Sequence, residues 1–303
     1  ASEPEGGLVA GLLGLPDRPA LSLTLTGDGT LAAWTGRLAG GLGAGAEIDL
    51  GLSVSAAAEG TRVAVDGTAA VERLVPDTVG PLLGPSVGLG LSALVASDGG
   101  VEVERLVAEA AAGTLDGTAR IDPAGWVVAA DITATAPELG RFSGFAGTDL
   151  AGSATAKLTL QEAGRRAIVT VAGDPTAGTL ALAGLRAELT ASADAPLTDL
   201  PAAISWTLDA GVDTPALPDT DLVALVGRRL TLQAAGTADT RGDTARAERV
   251  TVTTDAGRLD AQATLSDGRK LVADGTVTVA DLGRFSTLAG RPEPRRRGGL
   301  PHC

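Results

Sequence analysis

The residue types that most often carry covalent or metal chemistry are almost missing from this chain. Its only histidine is His302 and its only cysteine is Cys303. Neither has a partner earlier in the chain from which a catalytic triad or a zinc cluster could be built. No Gly-x-x-x-x-Gly-Lys-Ser/Thr loop is present to cradle a phosphate, and one histidine cannot make a His-Glu-x-x-His helix. Calcium-binding Gly-Gly-x-Gly-x-Asp repeats are absent as well. Carboxylates remain, 37 Asp and Glu in all. Two of them could act as acid and base on a glycosidic bond. Nearly all, however, fall at turn signals or on the polar side of alternating runs, where water solvates them. Sugar-cleaving sites also use aromatic platforms, and this chain has 3 Trp, 3 Phe and no Tyr. We therefore expect no enzyme, no cofactor and no metal.

The charge removes another class. Against those 37 acidic residues stand 24 Lys and Arg, a net charge of −13. A nucleic-acid binder needs a basic face and rings on which bases stack; we expect no nucleic acid as partner. An apolar fraction of 44% is too high for a disordered chain and predicts folding around Ala, Val and Leu. The uncharged stretch from Thr78 to Ser97 has the length of a membrane span. Pro81, Pro85 and four glycines break it, and its second half alternates, so it reads as a turn and then a strand. A start at Ala1 and the absence of Met read as a fragment or a processed product. The acidic first residues lack the basic start of a signal peptide.

The elements that must position any site are strands. Leu21 to Thr26, Lys157 to Gln161, Ile204 to Asp209, Val250 to Thr253 and Thr276 to Val279 alternate apolar and polar residues. That is the pattern of strands with one greasy and one wet face. Gly27-Asp28-Gly29, Asp66-Gly67, Asp98-Gly99-Gly100, Asp116-Gly117, Asp267-Gly268 and Asp274-Gly275 read as tight turns. About 11 residues per strand and turn predict roughly 25 strands, stacked at ~4.8 Å into a sheet roughly 120 Å long.

A repeat punctuates the strands. Leu139-Gly140-Arg141-Phe142-Ser143 recurs as Leu282-Gly283-Arg284-Phe285-Ser286, and both segments end in Ala-Gly. Looser copies end at Gly14, Gly84 and Gly227, and the steps from Gly84 to Gly227 and from Gly147 to Gly290 are both 143 residues. Asp219, Asp221 and Asp281 suit helix N-caps, Pro137 a first turn, and the glycines a C-terminal stop. Apolar residues at three-residue steps predict short amphipathic helices, each followed by several strands. The chain then reads as an elongated repeat array over residues 1–290, with repeat helices ending near 14, 84, 147, 227 and 290. Residues 291–303 form an irregular tail holding four Arg.

Three features together resemble the TamB family of the AsmA-like group of bacterial envelope proteins. One is the text from Gly14 to Leu38, a strand, a Gly-rich turn and a strand containing Trp34. Another is the recurrent Asp/Glu-Leu-x-x-Phe/Leu-x-x-Leu/Phe-Ala/Val-Gly helix at 138–147, 221–227 and 281–290. The third is the Ala/Gly/Thr-rich strand text between them, as in Leu150 to Leu158. The resemblance covers residues 8–290 and implies an all-β fold, an elongated antiparallel β-groove with a hydrophobic interior and short connecting helices. It implies residence in the periplasm behind an inner-membrane anchor, and passage of phospholipids toward the outer membrane. It also implies support of outer-membrane protein assembly with a barrel partner of the TamA type. This chain lacks the anchor and the C-terminal domain of the family pattern. No single catalytic or binding residue carries over, because the family works through a lining.

The apolar members of the cleanest strands are the expected lining for phospholipid acyl chains: Leu21, Leu23, Leu25, Leu158, Leu160, Ile204, Trp206, Leu208, Val250, Val252, Val277 and Val279. Two other readings fit the same residues. One is a secreted structural or adhesive β-repeat protein with a closed, dry interior. The other is a chaperone-like edge that pairs with outer-membrane strands by β-augmentation.

Overall fold

The computed structural model describes residues 2–6, 20–43, 45–76, 78–199, 203–217, 226–240, 244–266 and 270–280. Most of them are strand, in four successive groups. The short β1 (Ser2–Glu3) precedes the first group: β2 (Leu21–Thr30), β3 (Ala33–Leu42), β4 (Glu47–Ala57) and β5 (Gly60–Ala70). The second group is β6 (Val87–Ala96), β7 (Val101–Ala110), β8 (Gly113–Ile121) and β9 (Val127–Ala136). The third region runs β10 (Leu150–Ala151), β11 (Ala154–Gln161), β12 (Arg166–Gly173), β13 (Thr176–Ala177), β14 (Leu180–Ala183), β15 (Leu185–Ser192), β16 (Ala203–Val212) and β17 (Thr214–Ala216). Of these, β10, β13, β14 and β17 pair with one another in a small second sheet. The last group is β18 (Leu230–Asp239), β19 (Thr244–Thr254), β20 (Gly257–Ser266) and β21 (Lys270–Val279).

The 16 long strands form one antiparallel sheet that does not close into a barrel. Each pairs with the next, and the group junctions are ladders like any other: β5 with β6, β9 with β11, and β16 with β18. The sheet has fewer long strands than the roughly 25 that even division of the chain predicts, because helices and the small sheet also use residues. Sixteen strands at ~4.8 Å give a sheet about 75 Å across its strands.

Helices stand between groups. One is Gly80–Leu83; another is a 3-10 turn at Leu139–Phe142 that runs into one α-turn at Ser143–Ala146. Gly84 and Gly147 follow with φ of 70° and 68°, a conformation that glycine adopts without a Cβ clash, and Gly227 has φ 74°; most of the expected helix at 221–227 lies outside the described residues. The expected helix ends at Gly14 and Gly290, the caps Asp219, Asp221 and Asp281, the Asp267-Gly268 pair and the 291–303 tail lie outside the described residues. No helix among the described residues is long and apolar enough to cross a membrane. The Thr78 to Ser97 stretch holds the Gly80–Leu83 helix and β6.

The 143-residue step recurs in the backbone at most strand starts, and β8 and β20 differ from it by one residue. The starts of β6, β7 and β9 at 87, 101 and 127 recur as those of β18, β19 and β21 at 230, 244 and 270. Irregularities recur too. A bulge at Glu104 and Arg105 of β7 recurs one residue further along at Glu248 and Arg249 of β19.

Four of the expected turns are strand interior. Gly27-Asp28-Gly29 lies within β2, Asp66-Gly67 within β5, Asp116-Gly117 within β8 and Asp274-Gly275 within β21. In each Asp-Gly pair the Asp takes the polar face and the Gly the apolar one, so the pair continues the alternation instead of breaking it. At Asp98-Gly99-Gly100 the chain does turn, with Gly99 at φ 92° and the Gly100 N–H donating to Asp98 Oδ1 at 2.9 Å.

No described side chain is fully buried. The chain exposes 18738 Å² for 29.9 kDa, where a compact protein of that mass exposes roughly 11,700 Å². Among the described residues, strands of the large sheet make their main contacts with ladder neighbours, not with a facing layer.

Candidate functional site

Paired residues in an antiparallel ladder point to the same side, so register alone assigns every side chain to a face. One row starts at Leu25 and passes through Leu38, Leu50, Gly67, Leu89, Ala108, Leu115 and Ala134. It continues through Ala156, Val171, Ala187, Ala210, Leu232, Val252 and Leu259 to Val277. It crosses all 16 long strands without meeting a polar side chain. The row beside it runs from Gly27 and Gly36 through Leu52, Val65, Leu91, Leu106, Gly117, Ile132, Leu158, Val169, Leu189, Leu208, Ala234, Val250 and Ala261 to Gly275, again without interruption. A further row on the same face joins Trp34, Val54, Val63, Ala93 and Val103 at one end and holds Leu160, Trp206 and Ala247 further on.

All twelve expected lining residues lie on this face. They differ in exposure. Leu21 is 4% exposed, held with Ala46 in a small cluster against Leu23, Ile48 and Leu74. Leu160 is 8% exposed. Leu23, Leu158, Ile204, Trp206, Leu208, Val250, Val252 and Val279 are half-buried. Leu25 and Val277, on the two end strands, are 59% and 67% exposed. The face also includes Leu38, Leu52, Leu89, Ile132, Val169, Leu189 and Leu232, which the sequence reading did not select. Leu89 stands in a run whose alternation is visible; most of the other strands mix Ala and Gly with larger apolar residues, so hydropathy alternates weakly there and pairing with a clean neighbour reveals their side.

The Gly80–Leu83 helix and the segment at Val226 tie to one margin of this face. In the second group, the Ala111 and Ala112 N–H groups donate to the Leu83 and Leu82 carbonyls, tying helix to β7–β8 turn. In the fourth, the Asp255 N–H donates to Val226 O and the Arg228 N–H to Asp255 Oδ2. Under each joint is an apolar cavity. One of about 340 Å³ is lined by Leu82, Leu83, Leu115 and Phe142 among others, and one of about 180 Å³ by Val226, Val252, Leu259 and Val277. They are the same place in the repeat.

The opposite face is polar and laced with ion pairs. Arg37 grips Asp49 through two hydrogen bonds. Arg62 meets Glu104 at 2.7 and 3.0 Å, while Arg105 reaches Asp66 at 2.7 Å. The bulge thus sends Glu104 and Arg105 back across β6 to two residues of β5, and the Arg105 guanidinium lies over Gly90. In the fourth group Gln233 stands where Gly90 would be and donates to Asp209 at 2.9 Å. The hydrogen bond from Arg37 holds the Asp49 carboxyl below its usual range. Arg62, with Ser92, does so for Glu104, and Arg258, with Thr251, for Asp260. Among the described residues no three His, Cys, Asp or Glu side chains gather as a metal site.

No protein-family model matches the sequence, and no curated protein or solved structure matches it. The functional reading therefore rests on the face itself.

Proposed function

We propose that this chain is a groove segment of a TamB-like envelope protein, in which the apolar face carries phospholipid acyl chains across the periplasm. The observation that supports this reading is the pair of rows that cross 16 strands with no polar side chain and, among the described residues, no covering layer. Leaving an acyl CH₂ in water costs ~0.8 kcal/mol, so an unshielded two-chain lipid costs more than ~20 kcal/mol. A uniform band of Leu, Val, Ala and Gly removes that cost at every position equally, which favours sliding over trapping. The polar face, paired and acidic, keeps the outside wet. A barrel partner of the TamA type and a part in outer-membrane protein assembly belong to the same reading. The structural-repeat alternative needs a closed, dry interior, which the uncovered face does not favour.

Native mass spectrometry of the chain purified from a bacterial periplasm, with lipid extraction, tests this. Several phospholipids per chain are expected. Leu25→Asp with Leu189→Asp should release them from a folded protein, because both side chains are substantially exposed. Leu160 is too buried for this purpose; charging it tests folding. A lipid-free chain, or full lipid retention in the folded double variant, overturns the proposal.

A further inference from the structure

The apolar face is not uniform at the joint between the second and third groups. Two neighbouring rows of the face cross β7, β8, β9 and β11 there. One holds Ala108, Leu115, Ala134 and Ala156; the other holds Ala110, Gly113, Ala136 and Ala154. Every member except Leu115 carries a methyl group or no side chain, so the floor is hollow at this place. Leu82 and Leu83 of the Gly80–Leu83 helix and Phe142 of the 3-10 turn complete the lining of a cavity of about 340 Å³.

These walls are held by the backbone. The Ala111 and Ala112 N–H groups donate to the Leu83 and Leu82 carbonyls at 3.2 and 2.9 Å, and the Leu139 N–H donates to the Gly152 carbonyl at 2.8 Å. The Leu150 N–H donates to Ser143 Oγ at 2.9 Å, just beyond Phe142. The whole lining lies within residues 78–199, which are described without a gap.

We infer that this cavity is a resting site for one hydrocarbon chain of an acyl lipid, a station at which a chain moving along the face pauses; it rests on the reading of that face as an acyl-chain path. The lining selects this occupant. No charged side chain belongs to it, and its two threonines, Thr114 and Thr135, pair with each other on the polar side of the ladder. A peptide segment or a polar headgroup would leave its hydrogen-bonding groups unmet there. Four strands span roughly 14 Å, and about 340 Å³ spread over that length is a bore one alkyl chain wide. The space holds roughly 11 methylenes, each given the ~30 Å³ share of one water. That is most of one acyl chain and not two.

The fourth group supplies the contrast. Val252 pairs with Leu259 as Ala108 pairs with Leu115, and Val277 and Val279 stand 143 residues after Ala134 and Ala136. All three valines line the cavity of that joint, which is about 180 Å³. Valine in place of alanine takes up the room that a chain would fill at the earlier joint.

The test mixes the full chain with vesicles of phosphatidylethanolamine in which one acyl chain ends in a diazirine. After irradiation and digestion, mass spectrometry locates the labelled residues. Labels should concentrate at Leu82, Leu83, Leu115 and Phe142. Ala108→Val combined with Ala134→Val and Ala136→Val should lower them there about tenfold, while labels elsewhere on the face persist. Circular dichroism checks that the variant folds. Ala134→Val alone is the milder form and should give a smaller loss at the same place. Labels spread evenly along the face, or labels at the joint that the folded variants retain in full, overturn the station and leave the acyl-chain path standing. A folded chain that takes no label anywhere overturns both.

Discussion

Trp34 shows how one side chain can stand in for missing ones. It lies over the paired glycines Gly27 and Gly36, so close that a Cβ on either would fall 2.3 Å from the ring. The ring thereby completes an apolar row that two glycines leave bare. Gly36→Ala should displace it and cost about 1–3 kcal/mol, the range for overfilling a packed site; urea unfolding followed by tryptophan fluorescence measures this. The carboxylates make a second residue-scale prediction. Asp49, Glu104 and Asp260 titrate lower in the folded chain than unfolded, because Arg37, Arg62 and Arg258 bond to their charged forms. Their contribution is therefore complete above the unfolded carboxylate range, ~3.9–4.3, and is lost as pH falls through the lowered folded values. Tm should hold from neutrality to about pH 5 and fall below about pH 4. Because the pairs are solvent-exposed, about 0.5 M salt should shrink the effect.

At the scale of the strand, glycine has two different roles that sequence does not separate. A Cβ at Gly67 would lie 2.1 Å from the Asp49 carbonyl oxygen, a backbone atom that cannot move alone. At Gly90 the obstacle is the end of Arg105, at 2.9 Å, which can swing away. Gly67→Ala should lower Tm markedly and Gly90→Ala only slightly. Gly90→Gln should dislodge Arg105 from Asp66, reproducing the Gln233–Asp209 arrangement of the fourth group; a crystal structure or a double-mutant cycle on Asp66 and Arg105 reads it. The Asp-Gly pairs carry the matching lesson about legibility. Asp98-Gly99 turns and Asp66-Gly67 does not, although the dipeptide is the same. The difference is the register of the neighbouring strand, which places Gly67 opposite Leu50 and keeps the ladder running. Local propensity says that a turn is allowed there; long-range pairing decides whether it is used.

For the molecule as a whole, the all-β class and the greasy-and-wet faces were legible, because alternation such as Leu21-Ser22-Leu23-Thr24 is written directly in the residues. The width of the face was not. Strands such as β3, with Gly36, Gly40 and Gly41 around Leu38, show no clean alternation, and only their ladders align Leu38 with the rest. The small sheet of β10, β13, β14 and β17 was also invisible, since two- to four-residue strands leave no period to read. The architecture has a further consequence under load. Its ladders are stacked one after another, so tension applied between β2 and β21 passes through every ladder in series. Each interface is a separate link, and stability is a sum over neighbours instead of a property of one centre. Stretched in an optical trap by handles on those strands, the chain should peel open strand by strand at low force, as a zipper does, with no single abrupt rupture.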